Sequence, residues 1–177
     1  MLRIEPLDPA RHDRASFSSG IEAVDNYFRR TANKLVGAGN LRVFVLVSPE
    51  DELIGFYALN AHAVDFADLP PRYARTRPGH GSIPAAFLSM FGVDSRWQNE
   101  GHGSVLLIDA LRRVVRASES LGIAVVVLDI VDCGDEQKVA RRRKLYESYG
   151  FRSLPSKPLR LFLPVASAQA AVAGLGG

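Results

Sequence analysis

Cysteine, tryptophan and methionine are scarce in this chain of 177 residues, which holds one Cys, one Trp and two Met. The single Cys133 excludes a disulfide within the chain and fits a cytoplasmic setting. Residues 1–6, MLRIEP, carry no apolar leader core. No apolar run approaches the roughly 20 residues of a membrane helix, so no membrane contact is expected. His12, His62 and His80 stand far from one another and from Cys133, without the spacing of a ligand set, and no metal is expected. Charge of one sign is not in excess: 22 Lys and Arg against 19 Asp and Glu leave a net +3, too little alone to argue for a nucleic-acid partner. Internal repeats are absent, which excludes a solenoid.

What is present suits an enzyme of one domain, expected over residues 1–164, with 47% apolar and 23% charged residues. Residues 2–7 read as a short strand ended by Asp8-Pro9. Ile21, Val24, Phe28, Thr31 and Leu35 recur at three or four residues and predict a helix over 21–35, with Ser18, Ser19 and Gly20 as its start. Residues 41–48 and 53–61 form an antiparallel hairpin across Pro49-Glu50-Asp51-Glu52. Residues 64–84 contain Pro70, Pro71, Pro78 and Pro84, too many for a regular helix or central strand, and read as a surface excursion. A strand over 86–93 leads to a helix over 104–121 with Leu107, Leu111, Val114 and Val115 on one stripe, closed by Gly122. Residues 123–131 are almost continuously apolar, as in a strand covered on both faces. A helix over 137–149 stopped by Gly150, a last strand over 159–163 and a loosely held Ala/Gly/Ser-rich tail over 165–177 complete the chain.

Between the strand over 86–93 and the helix after it lies Gln98-Asn99-Glu100-Gly101-His102-Gly103-Ser104. Gly101 and Gly103 let the backbone approach a ligand, and the unpaired N–H groups of the following helix point at it, the layout of a phosphate cradle. It is not a P-loop, because no Lys precedes Ser104, and not a Rossmann turn, because Leu106 stands where the third glycine belongs. Basic residues gather at Arg72, Arg75, Arg77 and His80, at Arg112, Arg113 and Arg116, and most densely at Lys138, Arg141, Arg142, Arg143 and Lys144. Such clusters can hold a polyanion.

The order of elements, with Gln98-x-x-Gly101-x-Gly103 and Leu145-Tyr146-x-x-Tyr149-Gly150-Phe151, resembles the GNAT superfamily of acetyl-CoA-dependent N-acetyltransferases. Phe17-Ser18-Ser19-Gly20-Ile21, Ile54-Gly55-Phe56-Tyr57, Ile83-Pro84-Ala85-Ala86 and Leu159-Arg160-Leu161-Phe162 narrow the resemblance to the acetyltransferase toxins of bacterial toxin–antitoxin pairs. Asn99 replaces a frequent glycine after the Gln, and Leu145 replaces the usual aromatic before the Tyr. The resemblance implies an α/β (α+β) GNAT fold, a central mixed, mostly antiparallel sheet with flanking helices and a splayed cofactor-binding strand pair. It implies acetyl-CoA as cosubstrate, aminoacyl-tRNA as acceptor, a homodimer, and a ribbon–helix–helix antitoxin as partner.

On this reading Phe91, Val93, Gln98, Asn99, Glu100, Gly101, His102, Gly103 and Ser104 bind acetyl-CoA, through backbone N–H groups at the pyrophosphate and strand edges at the pantetheine. Tyr146 is the general acid for the departing thiolate, since a phenol of pKa ~10 is protonated at neutral pH. The expected RNA contacts are Arg72, Arg75, Arg77, Lys138, Arg141, Arg142, Arg143 and Lys144. An aminoacyl ester's amine, below the ~7.7–8.0 of a peptide terminus, is largely neutral and needs no strong base, whereas a lysine near ~10.4 needs one. Glu100, Asp129, Asp132 and Glu147 each read as loop, cap or surface groups. The alternative is a GNAT enzyme of the same fold acting on a protein or small-molecule amine.

Overall fold

The β-rich runs of the chain become seven strands in the computed structural model, which describes residues 1–174. They are β1 (Arg3–Pro6), β2 (Arg42–Val47), β3 (Leu53–Asp65), β4 (Ser82–Val93), β5 (Val125–Asp129), β6 (Arg152–Leu154) and β7 (Lys157–Pro164). The helices are α1 (Glu22–Asn26) and α2 (Ala32–Gly37), joined by a π-helical turn at Tyr27–Thr31, then α3 (Arg72–Arg75), α4 (His102–Ser118), α5 (Glu136–Ser148) and α6 (Val165–Ala173). The strands form one sheet in the order β1-β2-β3-β4-β5-β7-β6. All neighbours run antiparallel except β4 and β5. This is the mixed, mostly antiparallel sheet with flanking helices that the resemblance implies.

The parallel pair explains where a site can form. β4 and β5 pair across Ala85–Leu88 and Val125–Leu128, yet β4 continues to Val93. At Ala58/Leu59 the β3–β4 register shifts and Ser89 is left without an opposite residue, a bulge that bends β4 away from β5. Beyond Leu88, β4 therefore has an edge that β5 does not cover.

Alternation sends Val126, Leu128, Leu161 and Leu163 to one face of the sheet, where they pack with Leu106, Leu107, Ala110, Leu111 and Val114 of α4 and Ala168 of α6. Burying each of these Val and Leu side chains contributes about 1.5–3 kcal/mol. The opposite face is covered at one end by Val24, Phe28 and Ala32, with Phe28 stacked on Phe56 at 3.9 Å. At its other end Leu69 of the excursion packs with Val125, Val127 and Phe162.

Four differences from the sequence reading have physical causes. The hairpin arms of β3 and β4 extend to Asp65 and Ser82 because Pro84 sits just before β5 pairing begins, where no ladder N–H is needed. α4 ends at Ser118 rather than at Gly122: the N–H groups of Glu119 and Ser120 donate three residues back and tighten the last turn first. β6 has three residues, too few to show a period. Residues 165–173 of the expected tail form α6, with Val165 and Ala168 buried, because alanine is the best helix former; residues 175–177 of that tail lie outside the described residues.

Candidate active site

Gly101 caps α4 in the left-handed region at φ +83°, and Asn99 is left-handed too at φ +69°. Glycine adopts this backbone without strain and asparagine tolerates it, so the loop can curl its N–H groups toward the positive end of a 17-residue helix. A Cβ on Gly103 would stand 3.3 Å from Leu145 Cδ2, so that glycine also lets α4 and α5 approach.

The free edge of β4 forms the floor. The Phe91 carbonyl accepts from Arg142 at 2.8 Å and the Val93 carbonyl from Gln98 Nε2 at 2.9 Å. Residues two apart in a strand direct their backbone groups to the same edge, so the Phe91 and Val93 N–H groups also face the split. An extended ligand carrying amides can add there as a further strand.

α5 supplies one wall. Lys138, Arg141, Arg142, Leu145 and Tyr146 fall on one face at three- and four-residue steps and line a cavity of about 370 Å³ with the cradle and β4. Each of the three cations is held by a neutral oxygen: Lys138 Nζ donates to the Gly20 carbonyl at 3.1 Å, Arg141 to Asn99 Oδ1 and Arg142 to the Phe91 carbonyl. Neither Asp nor Glu lines the cavity among the described residues. Its positive charge is thus left for an anionic ligand.

The fourth side was missed in the sequence, where Ser18-Ser19-Gly20 read as a helix start and as part of a run that narrows the resemblance, and not as part of the site. Ser19 and Ile21 line the cavity. The Ser18 carbonyl accepts from the Ser95 N–H at 2.7 Å, that of Ser19 from Gln98 Nε2 at 2.8 Å, and that of Gly20 from Lys138. Asp25 accepts from Ser19 N and Oγ, each at 2.7 Å. Asp94, 1% exposed, accepts from Ser18 N at 3.1 Å and Arg96 Nε at 2.9 Å. Burial alone would raise the Asp94 pKa, but the Arg96 guanidinium and the backbone N–H groups of Arg96 and Ser18 together hold it below the usual carboxylate range.

Tyr146 is 3% exposed and packed edge-on between Phe91 at 6.0 Å and Phe151 at 6.1 Å. Burial pushes its phenol above the ordinary tyrosine pKa, while the Arg142 charge acts the other way. It remains protonated at neutral pH, able to donate.

The cavity brings together Phe91, Val93, Gln98, Asn99, Gly101, His102, Gly103, Ser104, Lys138, Arg141, Arg142 and Tyr146. Gln98 spends its amide N–H groups on the Ser19 and Val93 carbonyls, so it ties the walls together. Glu100 stands outside the lining, its carboxylate 3.3 Å from His102 Nε2. The cluster from Lys138 to Lys144 is divided by helix phase: Lys138, Arg141 and Arg142 recur at three- and four-residue steps on the cavity face, and Arg143 and Lys144 lie further round the helix. Arg143 is fixed to Ser153 and the Pro158 carbonyl and, with Lys144, lines a separate depression. Arg72, Arg75 and Arg77 belong to the excursion at the other end of the 12-residue β4, which separates them from the cradle. Arg72 lies on Tyr73, and Arg77 over Phe66 at 4.4 Å. Asp129 pairs with Arg160, and Glu147 with Arg143.

No family model matches the sequence. The chain is 57% identical over 165 residues to a probable toxin TacT of Sinorhizobium fredii, covering 93% of this chain and 91% of that protein. It is 35% identical over 160 residues to a tRNA-acetylating toxin of Mycobacterium tuberculosis, covering 90% of each. Among solved structures it is similar to AtaT complexed with acetyl-methionyl-tRNAfMet, with a TM-score of 0.81, 25% identity, and 96% of this chain and 98% of that one covered. It is also similar to AtaTR bound with acetyl-CoA, with a TM-score of 0.78, 26% identity and 96% of each chain covered. Among the described residues, no helix is long and apolar enough to cross a membrane.

Proposed function

The chain belongs to the family of tRNA-acetylating toxins, and on that premise we propose that it moves the acetyl group of acetyl-CoA to the α-amino group of an aminoacyl-tRNA, withdrawing that amino acid from translation. The observation that carries this reading is a buried, protonated phenol opening onto a cavity that joins a left-handed cradle, a free strand edge and three cations without carboxylate partners.

The cradle and the cations Lys138 and Arg141 hold the donor's phosphates. The N–H groups of Phe91 and Val93 face its amides and the thioester carbonyl, where a fixed N–H stabilises the developing oxyanion. The amine nitrogen bonds to the acetyl carbon, the carbon–sulfur bond breaks, the Tyr146 proton passes to sulfur, and the proton released by the amine leaves through water to restore the phenol. The absence of a carboxylate in the lining fits an amine already neutral at pH 7, as an aminoacyl ester's is, and not a lysine side chain. A cytoplasmic location, a homodimer and an antitoxin that covers the site belong to the same proposal.

The test is incubation with labelled acetyl-CoA and total charged tRNA, with uncharged tRNA as control. Label entering RNA only when the tRNA is charged is the expected result. Label reaching free amines or proteins but never RNA would replace this reading with that of an acetyltransferase for another amine.

A further inference from the structure

Arg142 stands one helical turn before Tyr146, at the i, i+4 spacing that sets two side chains together on one helix face. Its guanidinium crosses the split and donates to the Phe91 carbonyl at 2.8 Å, while the Phe91 ring meets the Tyr146 ring edge-on at 6.0 Å. A cation, a free strand edge and a phenol therefore meet at one point of the cavity. The acceptor is a neutral carbonyl, and among the described residues no carboxylate lines the cavity to neutralise the charge. That carbonyl is also the acceptor an amide N–H of a ligand laid along β4 would use.

We propose that Arg142 is a positioning residue of acetyl transfer: it rests on the Phe91 carbonyl, yields that acceptor to the donor's amide, and turns its charge to the Tyr146 phenol and the departing sulfur. This rests on the chain being an acetyl-CoA-dependent acyltransferase. When the carbon–sulfur bond breaks and sulfur takes the phenol proton, negative charge develops on sulfur and then on the phenol oxygen, and a cation in a cavity of low dielectric favours both. The other titratable or charged groups lining the cavity are His102 on α4 and Lys138 and Arg141 on α5; β4 contributes none. Lys138 and Arg141 are tied to Gly20 and Asn99, away from the phenol's own helical turn. Burial works against the phenolate and Arg142 for it.

Wild type, Arg142→Gln and Arg142→Lys decide the matter. Arg142→Gln should slow single-turnover transfer at saturating donor by about 30-fold or more, and Arg142→Lys by no more than about 3-fold, since it keeps the charge. Coenzyme A binding followed by calorimetry should change less than about 3-fold in both. In the protein without donor, 13C-tyrosine NMR, with Tyr146 assigned through Tyr146→Phe, should show Tyr146 titrating at higher pH in Arg142→Gln than in wild type. A loss confined to donor KM with an unmoved tyrosine titration, or equal damage from both variants, overturns the proposal. A wild-type protein that acetylates no amine would instead overturn the acyltransferase reading beneath it.

Discussion

Tyr57 and Tyr146 are both buried, at 0% and 3% exposure, and burial raises the pKa of both phenols, yet their surroundings are opposite. The Tyr57 hydroxyl donates to Asp109 and accepts from Arg113 Nε at 2.8 Å, and Arg113 also bonds Asp109 at 2.8 Å while lying 3.8 Å over the Phe44 ring. Its proton and acceptor capacity are both in use, and after burial the Asp109 carboxylate is the next cause holding the phenol un-ionised. Tyr146 instead opens onto a cavity with a cation one turn away and, among the described residues, no carboxylate in the lining. Burial alone does not make a tyrosine an acid catalyst; a buried phenol whose proton is uncommitted, beside unneutralised positive charge, has the means to act as one.

The sharpest break in this comparison is Tyr146→Phe, which should lower the transfer rate by about 10²–10⁴-fold, read as single-turnover label transfer, with coenzyme A affinity within about 2-fold of wild type. Next comes the charge. Replacing Lys138 and Arg141 together by Ala should weaken coenzyme A by about 10-fold or more and flatten the salt dependence of its binding, measured by calorimetry at two ionic strengths. Arg143→Ala, from the face turned away, should leave that affinity within about 2-fold.

Tyr57→Phe should do the reverse of Tyr146→Phe. Activity stays within about 2-fold while stability falls by about 1.5–3 kcal/mol in urea unfolding, as the hydroxyl's hydrogen bonds to the charged groups Asp109 and Arg113 are lost. The smallest effect concerns Asp94, which anchors the Ser18–Ser19 wall. Its folded pKa lies below the unfolded value of ~3.9, so its contribution is present above that pH and is lost as pH falls through the folded value. The stability margin of wild type over Asp94→Asn should therefore shrink between pH 5 and pH 2, a range of about three units.

Much of this was legible in the residues because local chemistry decides it. Gly101 and Asn99 occupy backbone positions that few other residues tolerate, and the glycine-punctuated loop between strand and helix is visible as such. The almost continuous apolar run over 123–131 read as a strand covered on both faces, and its middle, Val125–Asp129, is β5. The partition of the basic cluster followed from helix phase, and counting from Tyr146 back to Arg142 and Lys138 would have separated them from Arg143 and Lys144. The Ser18–Gly20 wall could not be found that way: its carbonyls are bound from Ser95, Gln98 and Lys138, which no local pattern relates to it. The Tyr57–Asp109–Arg113 triad, formed between β3 and α4, was hidden for the same reason.

The most direct measurement is transfer of labelled acetyl from acetyl-CoA to charged tRNA by wild type, Tyr57→Phe and Tyr146→Phe side by side. Label in RNA from wild type and Tyr57→Phe, and none above background from Tyr146→Phe, is the result this account predicts. Equal labelling by Tyr146→Phe and wild type would contradict it.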